Sequence, residues 1–294
     1  MKGRTFTLWF SYGKYQFRKL VPLILVLFVL ACEKKLDLSG ENEEQPGKEE
    51  PVTEKKEFTV MSFNLRNEGK NDPQTLDQRK ENIREIILDN DPDVFGVQEL
   101  AADWMSEWLS QQLNEKGYDK YLSSGQFGSP KIIYYKRGRF TRTNQGTFQM
   151  EFSDNRAGTW VILLDKETNS RYFFCNSHWT NASSIDREKT ANVVLNVVKA
   201  NSKGVPAVVL GDFNSEPGSI EIGIIKNSSG LNLTCAHGDK GNTYHVWTGI
   251  GTKKIDWILH SEELLVTRAS VVTTSFNGHY PSDHFPIKAT FLLK

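Results

Sequence analysis

Cysteine is scarce in this chain, and its scarcity limits the sites and cross-links that the sequence can encode. Three cysteines occur among 294 residues, at Cys32, Cys175 and Cys235. Two cysteines beyond the N-terminal region make no disulfide framework, and no pair has the close spacing of a metal-thiolate site. Cys175 lies within an apolar, strand-like pattern, which is typical of a buried and unreactive thiol. A single bridge between Cys175 and Cys235 stays open as an alternative.

An excess of charge of either sign is also missing. The sequence holds 36 basic and 36 acidic residues, so its formal net charge is zero at pH 7. A broad basic surface of the kind that binds a polyanion is therefore not indicated. The length suits one large domain or two modest ones, with enough residues for a sizeable core, and no internal repeat is visible.

The apolar run near the N-terminus is short for a membrane span. Basic residues precede this run, which covers residues 20–31 and ends at Cys32. Such a run suits the apolar region of a signal peptide. Its end resembles a bacterial lipoprotein signal, with the order Val29-Leu30-Ala31-Cys32, in which the cysteine is lipidated. We expect residues 1–31 to be the signal peptide of an exported protein anchored to a bacterial membrane through Cys32. An ordinary secretory signal and an uncleaved anchor are the alternatives.

A polar, acidic segment separates this region from the rest of the chain. Residues 33–56 are rich in glutamate, contain Pro46 and Pro51, and include almost no apolar side chains. Such a segment cannot bury a core, so we expect a disordered tether. Residues 57–294 are then expected to form one folded domain.

Strand-like and helix-like patterns mix along this domain. Apolar runs predict strands at 58–63, 94–97, 132–135, 159–164, 171–176, 207–210, 254–259, 265–272 and 287–293, and helical periodicity predicts helices at 76–90, 101–116, 186–201 and 219–225. In the first helix, Arg79 and Lys80 fall among the charged residues around the apolar face. A βαβαβ start followed by a strand-rich remainder favours an α/β or α+β sandwich. A barrel of eight alternating units would need more helices than residues 118–171 can supply.

Polar side chains repeatedly follow the predicted strands. They are Asn64, Glu99, His178, Asp212 with Asn214, Asp256, and Asp283 with His284. Turn formation explains any one of them, because Asp and Asn favour turns. Their recurrence at several strand ends indicates instead a shared rim of oxygen and imidazole groups. Oxygen donors without thiolates suit a hard cation such as Mg²⁺ or Mn²⁺ rather than zinc.

Six motifs in a fixed order carry a resemblance to a known superfamily. They are Val60-Met61-Ser62-Phe63-Asn64, Gly96-Val97-Gln98-Glu99, Asn176-Ser177-His178, Gly211-Asp212-Phe213-Asn214-Ser215, Lys254-Ile255-Asp256-Trp257-Ile258 and Pro281-Ser282-Asp283-His284-Phe285-Pro286. Together they resemble the endonuclease/exonuclease/phosphatase superfamily, which includes deoxyribonucleases, apurinic-site endonucleases, inositol phosphatases and sphingomyelinases. The resemblance covers residues 58–293. It implies a four-layer α/β sandwich, with two packed mixed β-sheets flanked by helices.

The same resemblance implies a metal site. Asn64 and Glu99, with Asp283 nearby, would hold a divalent cation, Mg²⁺ or Mn²⁺, against a phosphate oxygen. A cation in this place neutralises the phosphate and is consistent with the oxygen donors at the strand ends.

The resemblance also implies the catalytic residues. Asp212 would orient or deprotonate the attacking water, and Asn214 would donate a hydrogen bond to the phosphate or to this water. His284, held by Asp256, would stabilise the charged transition state or act as acid and base. His178 would contact another phosphate oxygen.

His178 departs from the family pattern in its surroundings. Members often carry Asp two residues after this histidine, where Thr180 stands in this chain. In the deoxyribonuclease branch a Glu early in the strand predicted here at 132–135 supports the histidine, whereas in this chain Ser129, Pro130 and Lys131 occupy that region. The support of His178 must therefore differ from that in these relatives.

Three further residues are candidate substrate contacts without a motif behind them. Arg156 could reach a phosphate group, although a solvated arginine is an equal interpretation. Tyr244 and Trp247 precede Asp256 in a predicted loop near the site and could stack on a substrate, but aromatic side chains are also common in loops.

The sequence thus predicts a divalent-metal-dependent phosphoesterase, and above all a phosphodiesterase that cleaves a P–O bond by direct attack of water. A phosphomonoesterase or a sphingomyelinase- or phospholipase-C-like esterase is the alternative. A catalytically silent binding lipoprotein is an alternative of another class. The expected substrates are nucleic acid, a phospholipid head group or a small phosphodiester, the expected membrane contact is the lipid anchor, and we expect a monomer.

Overall fold

The structure is a computed structural model that describes residues 56–123, 131–150, 156–228 and 230–294. The expected signal peptide, the expected lipidation site Cys32 and residues 33–55 of the expected tether lie outside the described residues. Within the described ranges, no helix is long and apolar enough to cross a membrane.

Strands and helices alternate in the first part of the described chain, and strands dominate its last part. In chain order the elements are β1 (Phe58–Asn64), α1 (Leu76–Asn90), β2 (Val94–Gln98), α2 (Asp103–Glu115), β3 (Tyr118–Leu122), β4 (Ile132–Lys136), β5 (Phe140–Gln149), β6 (Ala157–Asp165), β7 (Arg171–His178), α3 (Ser184–Ser202), β8 (Ala207–Asp212), α4 (Ile220–Lys226), β9 (Asn227–Ser228), β10 (Leu231–Asn232), β11 (Thr234–Cys235), β12 (Asp256–His260), β13 (Leu264–Val271) and β14 (Ile287–Leu293).

Most of these strands belong to two six-stranded sheets. The first sheet has the order β13-β14-β1-β2-β4-β3 and the second sheet has the order β11-β12-β8-β7-β6-β5. Within the first sheet β1 and β2 are parallel, and within the second sheet β7 and β8 are parallel. Their other neighbours pair antiparallel, so both sheets are mixed.

The two sheets pack face to face, and helices cover their outer faces. Successive side chains of a strand point to opposite faces. Phe58 and Val60 of β1 therefore belong to the core between the sheets, whereas Met61 and Phe63 pack with α1 and α2. In the same way Val209 of β8 packs with α3 and α4. The order of layers is helix, sheet, sheet, helix, and the predicted four-layer α/β sandwich is confirmed.

Apart from strands of two residues, the strands that the sequence pattern does not predict are the edge strands β3 and β5. β5 reads FTRTNQGTFQ and lies at the edge of the second sheet, where most of its side chains are at least partly exposed. β3 reads YDKYL and ends the first sheet in the same manner. An edge strand with one covered face needs few apolar residues, so its composition gives little signal.

A buried carboxamide bridges the two sheets. Asn176 of β7 donates through Nδ2 to the carbonyls of Val97 and Ile132 in the first sheet, each at 3.0 Å. Its Oδ1 accepts from Gln98 Nε2 at 2.8 Å. Gly96 makes room for this bridge, because a Cβ there would stand 2.7 Å from Asn176 Cγ. The bridge fixes β7 relative to β2 just below the carboxyl ends of both strands.

The two described cysteines are buried free thiols. Burial raises the pKa of the Cys175 thiol and of the Cys235 thiol. The prediction that Cys175 is buried is confirmed, and the alternative of a bridge to Cys235 is wrong.

Candidate active site

Strand geometry brings the predicted polar residues to one edge of the gap between the sheets. In β1, Asn64 continues the set of residues that face the other sheet, since it lies four positions after the core residue Val60. In β8, Asp212 bears the same relation to the core residue Val208. His178 likewise lies four positions after the core residue Phe174 of β7. Because β1, β2, β7 and β8 end at this edge, their last polar side chains converge.

Two carboxylates and a carboxamide meet at the centre of the edge. Asn64 donates through Nδ2 to Glu99 Oε1 at 3.0 Å and to Asp212 Oδ2 at 2.9 Å. Its Oδ1 accepts the backbone N–H of Arg66 at 2.9 Å. Glu99 follows β2 with a left-handed backbone (φ 59°), and its Oε2 accepts the N–H of Asn67 at 3.0 Å. The amide nitrogen of Asn64, rather than its oxygen, therefore faces the two carboxylates.

His178 and Asn214 form the side of the site next to Asp212. Asn214 Nδ2 donates to His178 Nε2 at 3.1 Å, and His178 Nε2 lies 3.4 Å from Asp212 Oδ2. Burial, together with the positive charges of Arg156 and Lys131, holds the pKa of His178 well below its usual range. The ring is therefore neutral at pH 7, and a neutral ring can accept the hydrogen bond from Asn214 at Nε2.

On the opposite side, His284 and Asp256 form a buried ion pair. His284 Nδ1 donates to Asp256 Oδ2 at 2.9 Å. Burial disfavours the charged ring, but the charge and hydrogen bond of Asp256, helped by Asp212 and Asp283, outweigh it and raise the pKa of His284 to about 10. The other ring nitrogen, Nε2, lies 3.9 Å from Asp212 Oδ2 and 3.9 Å from Asp283 Oδ1. A cationic N–H donor thus stands between two carboxylates.

Buried acidic groups lie close together at this edge, which is a property of cation sites. Burial and the charge of Asp256 raise the pKa of Asp212 to about 7. Burial also raises the pKa of Asp283, against the opposing effects of His284 and Arg66. Asp256 Oδ1 and Asp283 Oδ1 are buried and have no hydrogen-bond partner among the described residues. A divalent cation would relieve both the repulsion and the missing contacts.

The donor set fits such a cation. Ligand atoms of Glu99, His178 and Asp212 lie within 4.8 Å of one another, as do those of Asp212, Asp256 and His284, although the protonated His284 has no lone pair to offer a metal. Oxygen donors dominate and thiolates are absent from both described groups, which suits a hard cation such as Mg²⁺ or Mn²⁺.

These groups open into a cavity of about 810 Å³. Its lining is polar and includes the five basic residues Arg66, Lys131, Arg156, Arg187 and Lys253. Tyr244 lines the cavity as well, with its ring centre 5.0 Å from that of His284. The volume suits a small, charged molecule held among side chains.

A buried arginine joins the loops that carry the two halves of the site. Arg79 of α1 is 0% exposed. Its Nη1 donates to the carbonyls of Leu65 at 2.8 Å and Pro281 at 2.6 Å, and its Nη2 donates to that of Arg66 at 2.9 Å. The helical pattern places Arg79 on the charged face of α1, and this placement is wrong because the loops after β1 and before Asp283 fold over it.

Ser282 makes a second link between the same loops. Its Oγ donates to the carbonyl of Asn64 at 2.7 Å and accepts the N–H of His284 at 3.2 Å. The position of His284 is thereby tied to the end of β1.

The structure brings together all of the predicted catalytic and metal-binding residues. Six of them line the cavity, while Asn64 and Asp256 hold their neighbours from behind. Of the predicted substrate contacts, Arg156 and Tyr244 line the cavity. Trp247 is not among the described lining residues, and its ring lies against the Arg79 guanidinium, 5.2 Å from ring centre to Cζ.

Several cavity residues had no signal in the sequence. Arg66 follows β1 by two positions, donates to Asp72 through Nε and Nη2, and lies 3.8 Å from Asp283 Oδ2. Lys131 comes just before β4, and Arg187 lies in the first turns of α3. A basic residue beside an apolar run reads as solvent-facing unless the sheet order is known.

Comparisons with known proteins agree with this geometry. A model of the Endonuclease/Exonuclease/phosphatase family matches residues 61–284. No curated protein matches the chain significantly.

Among solved structures, an endonuclease/exonuclease/phosphatase family protein from Bacteroides thetaiotaomicron is similar with a TM-score of 0.74 and 23% identity, covering 82% of this chain and 99% of that chain. A mannosyl-6-phosphatase from the same species is similar with a TM-score of 0.71 and 24% identity, covering 80% and 99%. The human Nocturnin catalytic domain, with a bound sulfate anion, is similar with a TM-score of 0.69 and 24% identity, covering 81% and 95%. At such identities the likeness shows the fold.

Proposed function

Because the chain belongs to the Endonuclease/Exonuclease/phosphatase family, a family of phosphoric ester hydrolases that typically depend on divalent metal, we propose that it hydrolyses a phosphoester by direct attack of water, with Mg²⁺ or Mn²⁺ as cofactor. One observation carries the proposal. Asp212, with its raised pKa, stands between the neutral His178 and the cationic His284 at the floor of a polar cavity. Asp212 can act as a base, His178 is a neutral acceptor and His284 is a cationic donor. The two histidines lie close to the same carboxylate of Asp212, which suits attack of water at phosphorus.

Glu99, Asn64 and Asp283 would hold the cation, which when bound neutralises phosphate charge and polarises the ester. Asn64 would bind the cation through Oδ1, which in the structure accepts the N–H of Arg66. The amide must therefore give up this hydrogen bond when the cation binds. The buried Asp283 carboxyl supports this assignment, because burial raises its pKa and its Oδ1 has no hydrogen-bond partner among the described residues.

The remaining residues act on the water and the phosphate. Asp212 accepts the proton of the attacking water and aligns it. Asn214 lies beside it and donates to a phosphate oxygen. His178 contacts another phosphate oxygen through Nε2, which must then carry the ring proton and give up the hydrogen bond from Asn214. His284 donates from Nε2 to the oxygen that gains charge, while Asp256 keeps the ring protonated and fixed.

The sequence favours a phosphodiester as substrate, whereas the cavity favours the phosphomonoester alternative. Five basic and five acidic side chains line a space of about 810 Å³, and with a cation bound among the carboxylates this space suits a compact phosphorylated molecule. The similar fold of a mannosyl-6-phosphatase adds support for a small phosphorylated substrate. Nucleic acid and a phospholipid head group are the other substrates that the assay must compare.

The test is a substrate screen with the purified protein. We expect hydrolysis of p-nitrophenyl phosphate, bis(p-nitrophenyl) phosphate or oligonucleotide in Mg²⁺ or Mn²⁺, and loss of the activity in EDTA. Asp212→Asn should lower turnover by ~10²–10⁴-fold, because it removes the base. Asp239→Asn, a change at a mostly exposed carboxylate, is the matched control. Absence of hydrolysis in either metal would favour the silent binding protein.

We also propose that the protein is exported, anchored to a bacterial membrane through lipidated Cys32, and monomeric. The pattern of residues 20–32 supports the anchor. Metabolic labelling with a fatty acid should mark the wild-type chain but not Cys32→Ser, and an unlabelled wild-type chain would contradict the anchor.

A further inference from the structure

A buried ion pair joins the two helices that cover the second sheet. Arg187 of α3 donates through Nε to Glu221 Oε1 of α4 at 2.6 Å. Glu221 is 2% exposed, and the same oxygen accepts Ser215 Oγ at 2.8 Å. Burial disfavours the charged carboxyl, but the hydrogen bonds from Arg187 and Ser215 outweigh it and lower the pKa of Glu221. Glu221 is therefore a fixed, ionised acceptor, and the proposed reaction does not yet use it.

Each member of the pair contacts a loop that carries a catalytic residue. Arg187 Nη1 donates at 3.4 Å to the carbonyl of Thr180, in the loop after β7 that begins beside His178. Ser215, which donates to the carboxylate, belongs to the loop after β8 and directly follows Asn214. The ion pair therefore connects these two loops from the side of the helices.

The hydroxyl of Ser215 has one proton for two nearby acceptors. Glu221 Oε1 lies at 2.8 Å and the carbonyl of Phe213 at 2.9 Å. A carboxylate is the stronger acceptor because it is charged, so the bond to Glu221 holds Ser215 against α4. The carbonyl of Ser215 is fixed as well, because it accepts Trp257 Nε1 at 2.9 Å.

The backbone of Asn214 depends on such support. Its φ is 48°, in the left-handed region, which is unfavourable for a residue with a side chain unless neighbouring contacts hold it. Its Nδ2 contacts His178 Nε2 at 3.1 Å and the carbonyl of Trp179 at 3.0 Å. The rings of Trp179 and Phe213 stack with their centres 4.2 Å apart, so the two loops pack as one unit. A shift of Ser215 would therefore move the amide that is proposed to donate to the phosphate.

We propose that Glu221 is a positioning residue for the proposed reaction. Through Ser215 it holds Asn214, and through Arg187 it holds the loop of His178. Both side chains are thereby kept at the spacing at which they reach one phosphate group. Glu221 and Arg187 also line the cavity, so direct contact with the substrate is the alternative that the test must separate. This inference rests on the proposed function.

The experiment measures kcat and KM of the full-length protein with Mg²⁺, on p-nitrophenyl phosphate or bis(p-nitrophenyl) phosphate, whichever the wild type hydrolyses faster. Glu221→Met keeps a long side chain without an acceptor oxygen, and Ser215→Ala removes the hydroxyl. Each should lower kcat by ~10–100-fold, because a displacement of about 1 Å near the reacting groups has an effect of this size. KM should change by less than ~3-fold, since the interaction is proposed to act in the transition state.

Three further variants show whether the effect passes through Ser215. Glu221→Gln keeps an acceptor oxygen and should keep kcat within ~3-fold of the wild type. The double variant Ser215→Ala/Glu221→Met should be at most ~3-fold slower than the slower single variant, because both changes break the same link. Lys189→Met breaks the ion pair of a mostly exposed lysine with Asp186 on α3, and it should leave both constants unchanged.

A wild-type kcat in Ser215→Ala would overturn the inference, because the link would then not act through this hydroxyl. Effects that multiply in the double variant would overturn it in favour of direct contact between Glu221 and the substrate. A loss of kcat that equals the loss of folded protein in urea unfolding would overturn it in favour of a purely structural ion pair. Ser215→Ala still tests the inference if Glu221→Met does not fold.

Each of these outcomes leaves phosphoester hydrolysis by the wild type intact. A wild type that hydrolyses neither ester refutes the proposed function itself, and the positioning role with it.

Discussion

Replacement of Arg79 is the sharpest test of how the site is held together. Arg79→Met keeps a long apolar side chain on α1 but removes the three hydrogen bonds to the carbonyls of Leu65, Arg66 and Pro281. Each carbonyl that loses its donor in a buried setting costs ~1–3 kcal/mol. The variant is relieved of the desolvation of a buried cation, which lowers the pKa of Arg79 in the wild type. We therefore expect a net loss of ~3–5 kcal/mol in the free energy of unfolding, the range for a broken buried charge interaction.

Urea unfolding followed by tryptophan fluorescence measures this loss, since the chain has seven tryptophans. Arg84→Met on the same helix is the matched control. Arg84 makes an ion pair with Glu81 and a hydrogen bond to Gln112 at the surface, and we expect its loss to cost no more than ~1 kcal/mol. An equal effect of the two substitutions would refute the assignment of Arg79 as the joining residue.

If Arg79 positions the proposed metal ligands, its replacement should change the Mg²⁺ dependence of activity as well as the stability. Arg79 ties the loop after Asn64 to the loop before Asp283, and these loops carry proposed ligands of one cation. Arg79→Lys, which keeps the charge but has fewer donors, should need ~10-fold more Mg²⁺ for half-maximal activity, the effect typical of lost support around a metal ligand. If Arg79→Lys loses stability but keeps the wild-type Mg²⁺ dependence, the arginine supports the fold and not the site.

Three further predictions follow from contacts in and below the site. Asp256→Asn removes the main cause of the raised pKa of His284, which is about 10 in the wild type. His284 should therefore lose its proton at a lower pH, and the alkaline limb of the pH–kcat/KM profile should move down by ~2 or more pH units. An unmoved limb would exclude His284 as its origin. Gly96→Ala places a Cβ 2.3 Å from Leu210 Cδ1 and should lower the melting temperature through overpacking that costs ~1–3 kcal/mol, an effect that calorimetry would detect. Asn176→Leu removes the two hydrogen bonds that this side chain donates to buried carbonyls and should lower the urea midpoint by an amount equivalent to ~2–4 kcal/mol; a midpoint within error of the wild type would count against the bridge.

The residues with simple, two-sided burial are the ones that the sequence predicts well. β1 and β8 are covered on both faces, so their apolar runs are nearly continuous and the polar residues that end them stand out. Alternation along each strand then suffices to place Asn64 and Asp212 on the faces that meet between the two sheets. The fold class and the grouping of the site residues follow from these features together with the motif order.

The residues that the sequence predicts poorly owe their positions to parts of the chain far away in sequence. Arg79 is buried by a loop about two hundred residues later, around Pro281, and no helical periodicity can indicate such a cover. Lys131 becomes part of the site because β4 pairs antiparallel with β2, a pairing that local patterns do not specify. The edge strand β5 has one covered face, so the alternation of apolar and polar residues along it is too weak to predict a strand. Long-range topology is the missing information in each case.

The Asn176 bridge has a consequence for the response of the protein to its ion. Glu99 extends from the first sheet and Asp212 from the second, and the bridge sets the spacing of the strands that carry them. A cation held by Glu99, Asn64 and Asp283 would offset the repulsion between Glu99 and Asp212, two carboxylates from opposite sheets, and would so stabilise the contact between the halves of the sandwich. By thermodynamic linkage, an ion at one hundred times its dissociation constant adds ~2.7 kcal/mol to the stability of the whole domain. Depletion of the ion should therefore lower the stability of the domain as well as abolish its activity. Resistance to heat or to proteases can then report the occupancy of the site in the absence of substrate.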